Sequence, residues 1–398
     1  MSVRSETIMR QAVLAGLLIL APACATTAAA PAAQAEAGDV LRDPAAIRAL
    51  ALRMADWQLA RLDGRHISSA NRETGNPRAW EQAVFWVGLT QLADAPGTPP
   101  RIRQAILDLG QRTSWQPGRL PYFADDHVIT QAYLWAAENG AGAEAVGPTK
   151  ATFDNILADP PESTLAFVVP PEGYGATECL VRWCWCDALF MAPPAFAELS
   201  DQTGDPRYRD FATAEFWATT DFLYDPVEHL YYRDSRFFER RDEQGRKQFW
   251  SRGNGWVVAG MARMIPLLPE GSADRTRMEA LFKEMAAKLI TLQKDDGYWA
   301  PSLLAPEDSP PESSGTAFYT YGLAWGINAG LLDAATYRPA AERGWAALTR
   351  AVQPDGGLGW VQQVSDRPEQ VAATDTQYYG VGGFMMAATA MAELHEGS

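Results

Sequence analysis

Six stretches of the chain share one design: AWEQAVFWVGLTQL, DDHVITQAYLWAA, WCDALFMAPPAFAEL, SRGNGWVVAGMARMI, SSGTAFYTYGLAWGI and YYGVGGFMMAATAM. Each opens on polar or glycine residues and then runs apolar or small on almost every side. A helix that is apolar all round has no face to give to water, so each of the six must be buried. Amphipathic segments lie between them. TRMEALFKEMAAKLITLQ places Met278, Leu281, Phe282, Met285 and Leu289 on one stripe with charged residues opposite, the mark of an outer helix. The buried starts recur every 45 to 70 residues or so, about enough for an inner helix, a loop and an outer helix per unit. Six such units predict an all-α closed ring, an (α/α)6 toroid. LQKDDGYW and VQPDGGLGW, each following an outer helix, are turn signals whose Trp returns the chain to the ring's interior. Long alternating β-branched runs are absent, so few strands are expected.

With 398 residues, 47% of them hydrophobic, and 14 tryptophans, the chain can fill one large core. A formal net charge of -15 argues against a nucleic-acid partner, and a small anionic substrate requires local arginines. At the N-terminus Arg4 and Arg10 precede an apolar run from Ala12 to Leu20, far short of the roughly 20 residues a membrane span needs. Residues 1–37 therefore read as an export signal and leader, and residues 38–398 as one catalytic domain. LAPAC resembles a lipoprotein box, which would anchor the protein through Cys24; Pro22 is unusual there, so cleavage without lipidation is favoured, for a periplasmic or secreted protein. Cys179, Cys184 and Cys186 form a tight cluster, but only four histidines and no second cysteine cluster accompany it, so no metal site is expected. Buried thiols are the favoured reading, with a disulfide the alternative open to an exported protein.

In a toroid the polar starts of the inner helices meet at one end of the ring. Any one of them could be a simple helix cap. Together, with tryptophans interleaved, DD, WCWCD, WSRGNGW and PESSG describe a carbohydrate cleft, where aromatic rings cover sugar C–H faces and polar groups bond hydroxyls. Asp125 and Asp126 open the second inner helix and Asp187 the third, so carboxylates from adjacent starts face each other across a sugar. Trp185 beside Asp187 would keep that acid protonated by desolvation. Arg252, between Trp250 and Trp256, is the candidate grip on a substrate carboxylate, or else a salt-bridge partner of a nearby acid. Asn254 stands with it between Gly253 and Gly255, which would let the backbone come close. Glu312 either bonds a sugar hydroxyl or completes a cap.

From about Ala45 onward the chain resembles the unsaturated glucuronyl and rhamnogalacturonyl hydrolases of glycoside hydrolase families 88 and 105, closer to the latter. The resemblance is carried by ADDHVITQAYL, WCWCDALFMAPP, FWSRGNGWVVAG and PESSGTAFYTYGLAWGIN. It implies an (α/α)6 barrel that needs no cofactor and removes the 4,5-unsaturated uronic acid left by a polysaccharide lyase at the non-reducing end of an oligosaccharide. A carboxylic acid protonates C4, water deprotonated by a carboxylate adds at C5, and the hemiketal opens and expels the next sugar. By resemblance Asp187 is the principal acid/base and the Asp125–Asp126 pair holds the second aspartate, with Asp126 preferred; Trp185, Trp250, Arg252 and Trp256 fall on substrate-contacting positions. Where rhamnogalacturonyl members often carry a histidine, this chain reads LYYRDSRFF, with Arg233 and Asp234, which leaves the aglycone sugar open. The rival readings are an epimerase of the same barrel or a noncatalytic sugar-binding toroid. Epimerases use paired cavity histidines, and His66, His127, His229 and His395 do not fall at matching helix starts.

Overall fold

A computed structural model describes residues 40–68 and 75–397; the expected export signal, the leader and Cys24 lie outside the described residues. Helices alternate between two layers. The outer layer is α1 (Pro44–Leu59), α3 (Pro100–Thr113), α5 (Ala143–Ala158), α8 (Pro206–Leu223), α10 (Ala273–Thr291) and α12 (Ala334–Ala351). The inner layer is α2 (Trp80–Asp94), α4 (Val128–Ala136), the pair α6 (Ala188–Met191) and α7 (Pro193–Thr203), α9 (Ser251–Met264), α11 (Ser313–Asn328) and α13 (Tyr378–Glu396). Pro193 and Pro194 lack N–H donors and divide the third inner helix in two. A short antiparallel hairpin pairs β1 (Tyr224–Asp225) with β2 (Leu230–Tyr231).

The two layers follow from the two kinds of sequence. In α9 every residue except Arg263 is buried. The outer α10 buries the expected stripe of Met278, Leu281, Phe282, Met285 and Leu289 and turns its charges outward. The ring closes because α13 packs against both α11 and α2, so the last inner helix meets the first. That crossing depends on glycine: a Cβ on Gly88 would lie 2.4 Å from the Gly382 carbonyl oxygen, and one on Gly382 would lie 2.5 Å from that of Val84. Any side chain there would force the helices apart.

Capping differs between the layers in part, since the outer α3 and α5 start on Pro99 and Gly142 without a side-chain cap. The outer helices α1, α8, α10 and α12 start on Asp43, Asp205, Ser272 and Asp333, each of which accepts a backbone N–H of its own first turn. The residues before α2, α4, α6, α9 and α13 make no such bond, and among the inner helices only α11, through Glu312, is side-chain capped. The polar groups at the inner starts are therefore free for other partners. Cys179 and Cys184 form a disulfide, their Cα atoms 5.4 Å apart, and among the described residues only Cys186 is a buried thiol. This corrects the expectation of three thiols: the chain reverses at Trp183, in left-handed backbone, and so brings the two cysteines within bonding distance. No helix among the described residues is long and apolar enough to cross a membrane.

Candidate active site

At the end of the ring where the inner helices start lies a cavity of about 510 Å³. Trp80 enters it from the first residue of α2, Asp125 from the 3₁₀ turn before α4, Asp187 from the residue before α6, and Arg233 from the loop after β2. The rest of the rim is a strap, residues 361–376 between α12 and α13, which contributes Val364 to Arg367 and Glu369. Phe123 stacks on Trp185 at 5.4 Å, and both rings line the cavity beside the carboxylates. A second recess of about 360 Å³ shares Trp80, Phe123 and Asp125 and continues past Asp126.

The two carboxylates of the cavity differ in what stands beside them. Asp187 is 8% exposed, with its Oδ2 3.3 Å from Arg233 Nε. Burial pushes its proton affinity up, against the opposing pull of Arg233 and, more weakly, Arg252. Asp125 has a buried Oδ1 with no hydrogen-bond partner among the described residues. Burial first, and then the neighbouring Asp187 charge, raise its pKa well above the usual carboxylate range. Two acids that feel each other across one cavity titrate as a pair. Burial raises the proton affinity of both acids, as the apolar wall around Asp187 leads one to expect, and Arg233, which pulls against that rise at both, makes its ion pair with Asp187. Asp126, preferred from sequence as the second carboxylate, points the other way. Its Oδ2 accepts the Leu120 N–H at 2.7 Å and holds the turn at Gly118, so it serves the loop and Asp125 is the carboxylate in the cavity.

The side chains of the SRGNGW segment are engaged by other parts of the protein. Arg252 is fully buried between the Trp250 and Tyr379 rings, 4.4 and 4.7 Å away. Its terminal nitrogens donate to the carbonyl oxygens of Gln362 at 2.8 Å and Gln363 at 3.0 Å. Trp250 Nε1 donates to Gln362 Oε1, and Glu312, besides capping α11, accepts the Gln362 N–H at 3.2 Å. Trp250, Arg252 and Glu312 thus clamp the start of the strap from behind. Asn254 exchanges hydrogen bonds with the backbone of Tyr231, two residues before Arg233, and so fixes the hairpin that presents that arginine. Trp256 is fully buried against Phe318 and Phe190. The glycines serve packing: a Cβ on Gly253 would meet the Trp250 ring and Cys186 Sγ, and one on Gly255 would meet Phe318. Of the sequence-derived set, Asp125, Asp187 and Trp185 line the main cavity; Asp126 lines the adjoining recess, and Trp250, Arg252, Asn254, Trp256 and Glu312 stand in the wall behind.

Sequence reasoning gave no role to Trp80, Phe123, Tyr174 or the strap. Trp80 and Phe123 sit beside inner-helix starts, the same signal that found Asp125, whereas the strap reads as an ordinary polar loop. None of the four histidines lines the cavity. His127 is buried on the Phe153 and Phe196 rings with Nε2 on the Pro121 carbonyl oxygen.

Residues 50–395 match the family described as Glycosyl Hydrolase Family 88. The chain is 41% identical over 345 residues to an unsaturated 3S-rhamnoglycuronyl hydrolase of Alteromonas sp. (strain LOR), covering 85% of this chain and 83% of that protein. It is 36% identical over 329 residues to a protein of the same name from Formosa agariphila, covering 80% of this chain and 86% of the relative. Among solved structures, a glycosyl hydrolase family 88 protein from Bacteroides vulgatus superimposes with a TM-score of 0.71 at 27% identity, over 86% of this chain and 99% of that one.

Proposed function

The chain belongs to glycosyl hydrolase family 88, and on that premise we infer which groups of its cavity carry the reaction. The activity is release of the non-reducing-end 4,5-unsaturated uronic acid from an oligosaccharide by hydration of the C4–C5 double bond. Asp125 gives its proton to C4, and the ring oxygen stabilises the positive charge that develops at C5. Water adds at C5 as it loses a proton to Asp187, forming a hemiketal. The hemiketal opens by breaking the bond between C5 and the ring oxygen. That leaves a hemiacetal at C1, which collapses to an aldehyde and expels the next sugar with its own oxygen. One water is consumed, and the proton taken by Asp187 restores the pair. Arg233, the cation beside Asp187, keeps that carboxylate ionised and draws the anionic uronate toward it.

The observation that carries this reading is the asymmetry of the pair. Two acids reach one aromatic-walled cavity from adjacent inner-helix starts, and of the two it is Asp187 that forms the ion pair with Arg233, at 3.3 Å. That arrangement separates an acid from a base. An epimerase working through paired histidines finds no support in the cavity. The substrate is an unsaturated uronate joined to a rhamnose sulfated at O3; this is supported by the names of both relatives and by the Arg233–Asp234 departure from the rhamnogalacturonyl pattern. Export to the periplasm or beyond is supported by Arg4, Arg10 and the apolar run after them, and by the Cys179–Cys184 disulfide, which suits an oxidising compartment.

Unsaturated disaccharides with and without the rhamnose sulfate test the assignment. Loss of the sulfate is expected to lower kcat/KM by at least tenfold, roughly one charged contact. Equal rates on both, or preference for an unsaturated galacturonyl disaccharide, would reject this substrate.

A further inference from the structure

We propose that Asp234, Arg236 and Asp366 are positioning residues that govern, through Arg233, how firmly Asp187 holds a proton. The four carry charges of alternating sign in an unbroken line from the rim of the cavity to the reacting carboxylate. Asp366 on the strap meets Arg236 at 2.8 Å, and Arg236 meets Asp234 at 2.7 Å. Asp234 meets Arg233 at 2.9 Å, and Arg233 lies 3.3 Å from Asp187. The line is also rigid. Asp234 is fully buried and accepts both the Nε and the backbone N–H of Arg236, whose guanidinium lies 4.0 Å from the centre of the Phe167 ring.

In so enclosed a setting each charge alters what the next has left to give. The positive charge of Arg233 is divided between Asp187 and Asp234, so the more fully Asp234 is engaged by Arg236, the more of Arg233 remains for Asp187. Asp366 works one step further out, by competing with Asp234 for Arg236. Seating of the strap and ionisation of the catalytic base, Asp187, thereby become linked. The other charged or titratable groups around Asp187 are Asp125 from the turn before α4, Arg252 from α9, its chain neighbour Cys186, and Tyr174, whose hydroxyl accepts from Arg233. Arg367 and Glu369 of the strap line the same cavity.

The signature is an alternation of sign in the pH profile. Asp187 must be ionised to accept a proton from water, so its titration forms the acid limb of kcat/KM. Asp234→Asn leaves the charge of Arg233 uncompensated, stabilises the Asp187 carboxylate and moves that limb down by about one pH unit. Arg236→Gln does the reverse and moves it up. Asp366→Asn moves it down again, by less, and Arg236→Lys restores part of the native position. A merely structural role would lower the plateau of kcat/KM without moving its limb. Unfolding midpoints identify any variant that fails to fold. Should buried Asp234→Asn be one, the opposed shifts of Arg236→Gln and Asp366→Asn still decide the question. Limbs that stay in place, or that all move in one direction, overturn the proposal. It rests on the reading of Asp187 as the acting base: an active Asp187→Asn enzyme would sink that reading, whereas an inactive one with unmoved limbs in the other variants would sink only the relay.

Discussion

Asp187→Asn is expected to lower turnover of an unsaturated uronate disaccharide by about 10²-fold or more while leaving the protein folded. The swap is nearly isosteric, and Arg233 keeps its ion pair with Asp234, so no buried cation is stranded. The carboxylate is what disappears. An amide cannot take a proton from water, and without the Asp187 charge Asp125 loses one of the forces that keep it protonated. Both halves of the acid/base division therefore fail together. Near-native turnover in this variant would show that the proton from water goes elsewhere.

The second large effect separates two adjacent residues. Asp125→Asn should be as damaging as Asp187→Asn, because it removes the proton donor from the cavity. Asp126→Asn should leave turnover within a few-fold of native and instead cost about 1–2 kcal/mol of stability, since the Leu120 N–H loses a charged acceptor. Kinetics on both variants, with urea unfolding of each, measure the contrast. Equal and mild losses in activity would mean that both aspartates serve the loop.

The fold was legible because an apolar-all-round helix admits one explanation, and six of them, each far enough from the next to fit an outer helix between, admit few architectures. Asp125, Asp187 and Trp185 were legible for a related reason: in a closed ring the inner starts converge. What sequence could not supply was direction. Asp125 and Asp126 are neighbours in one 3₁₀ turn, yet one faces the cavity and the other bonds the Leu120 N–H. Trp250, Arg252 and Glu312 stand at inner starts as well, but the groups that claim them are backbone atoms of Gln362 and Gln363 and one glutamine side chain. Backbone acceptors leave no trace in a residue pattern, and QQVSDRPEQ looks like any surface loop. Arg233 and Asp234 were visible as a departure from a familiar pattern. Their ion pairs with Asp187 and Arg236, and that of Arg236 with Asp366, are tertiary contacts that no residue pattern displays.

Hydration of the double bond is tested most directly by following two signals in one reaction: the ultraviolet absorbance of the C4–C5 double bond and the amount of free aglycone sugar. With the native enzyme the absorbance should fall in step with release of the sugar, one double bond lost for each molecule freed, and in deuterated water the uronate product should carry deuterium at C4. Free aglycone accumulating while the absorbance persists would mean direct displacement at the glycosidic carbon, and would contradict the account.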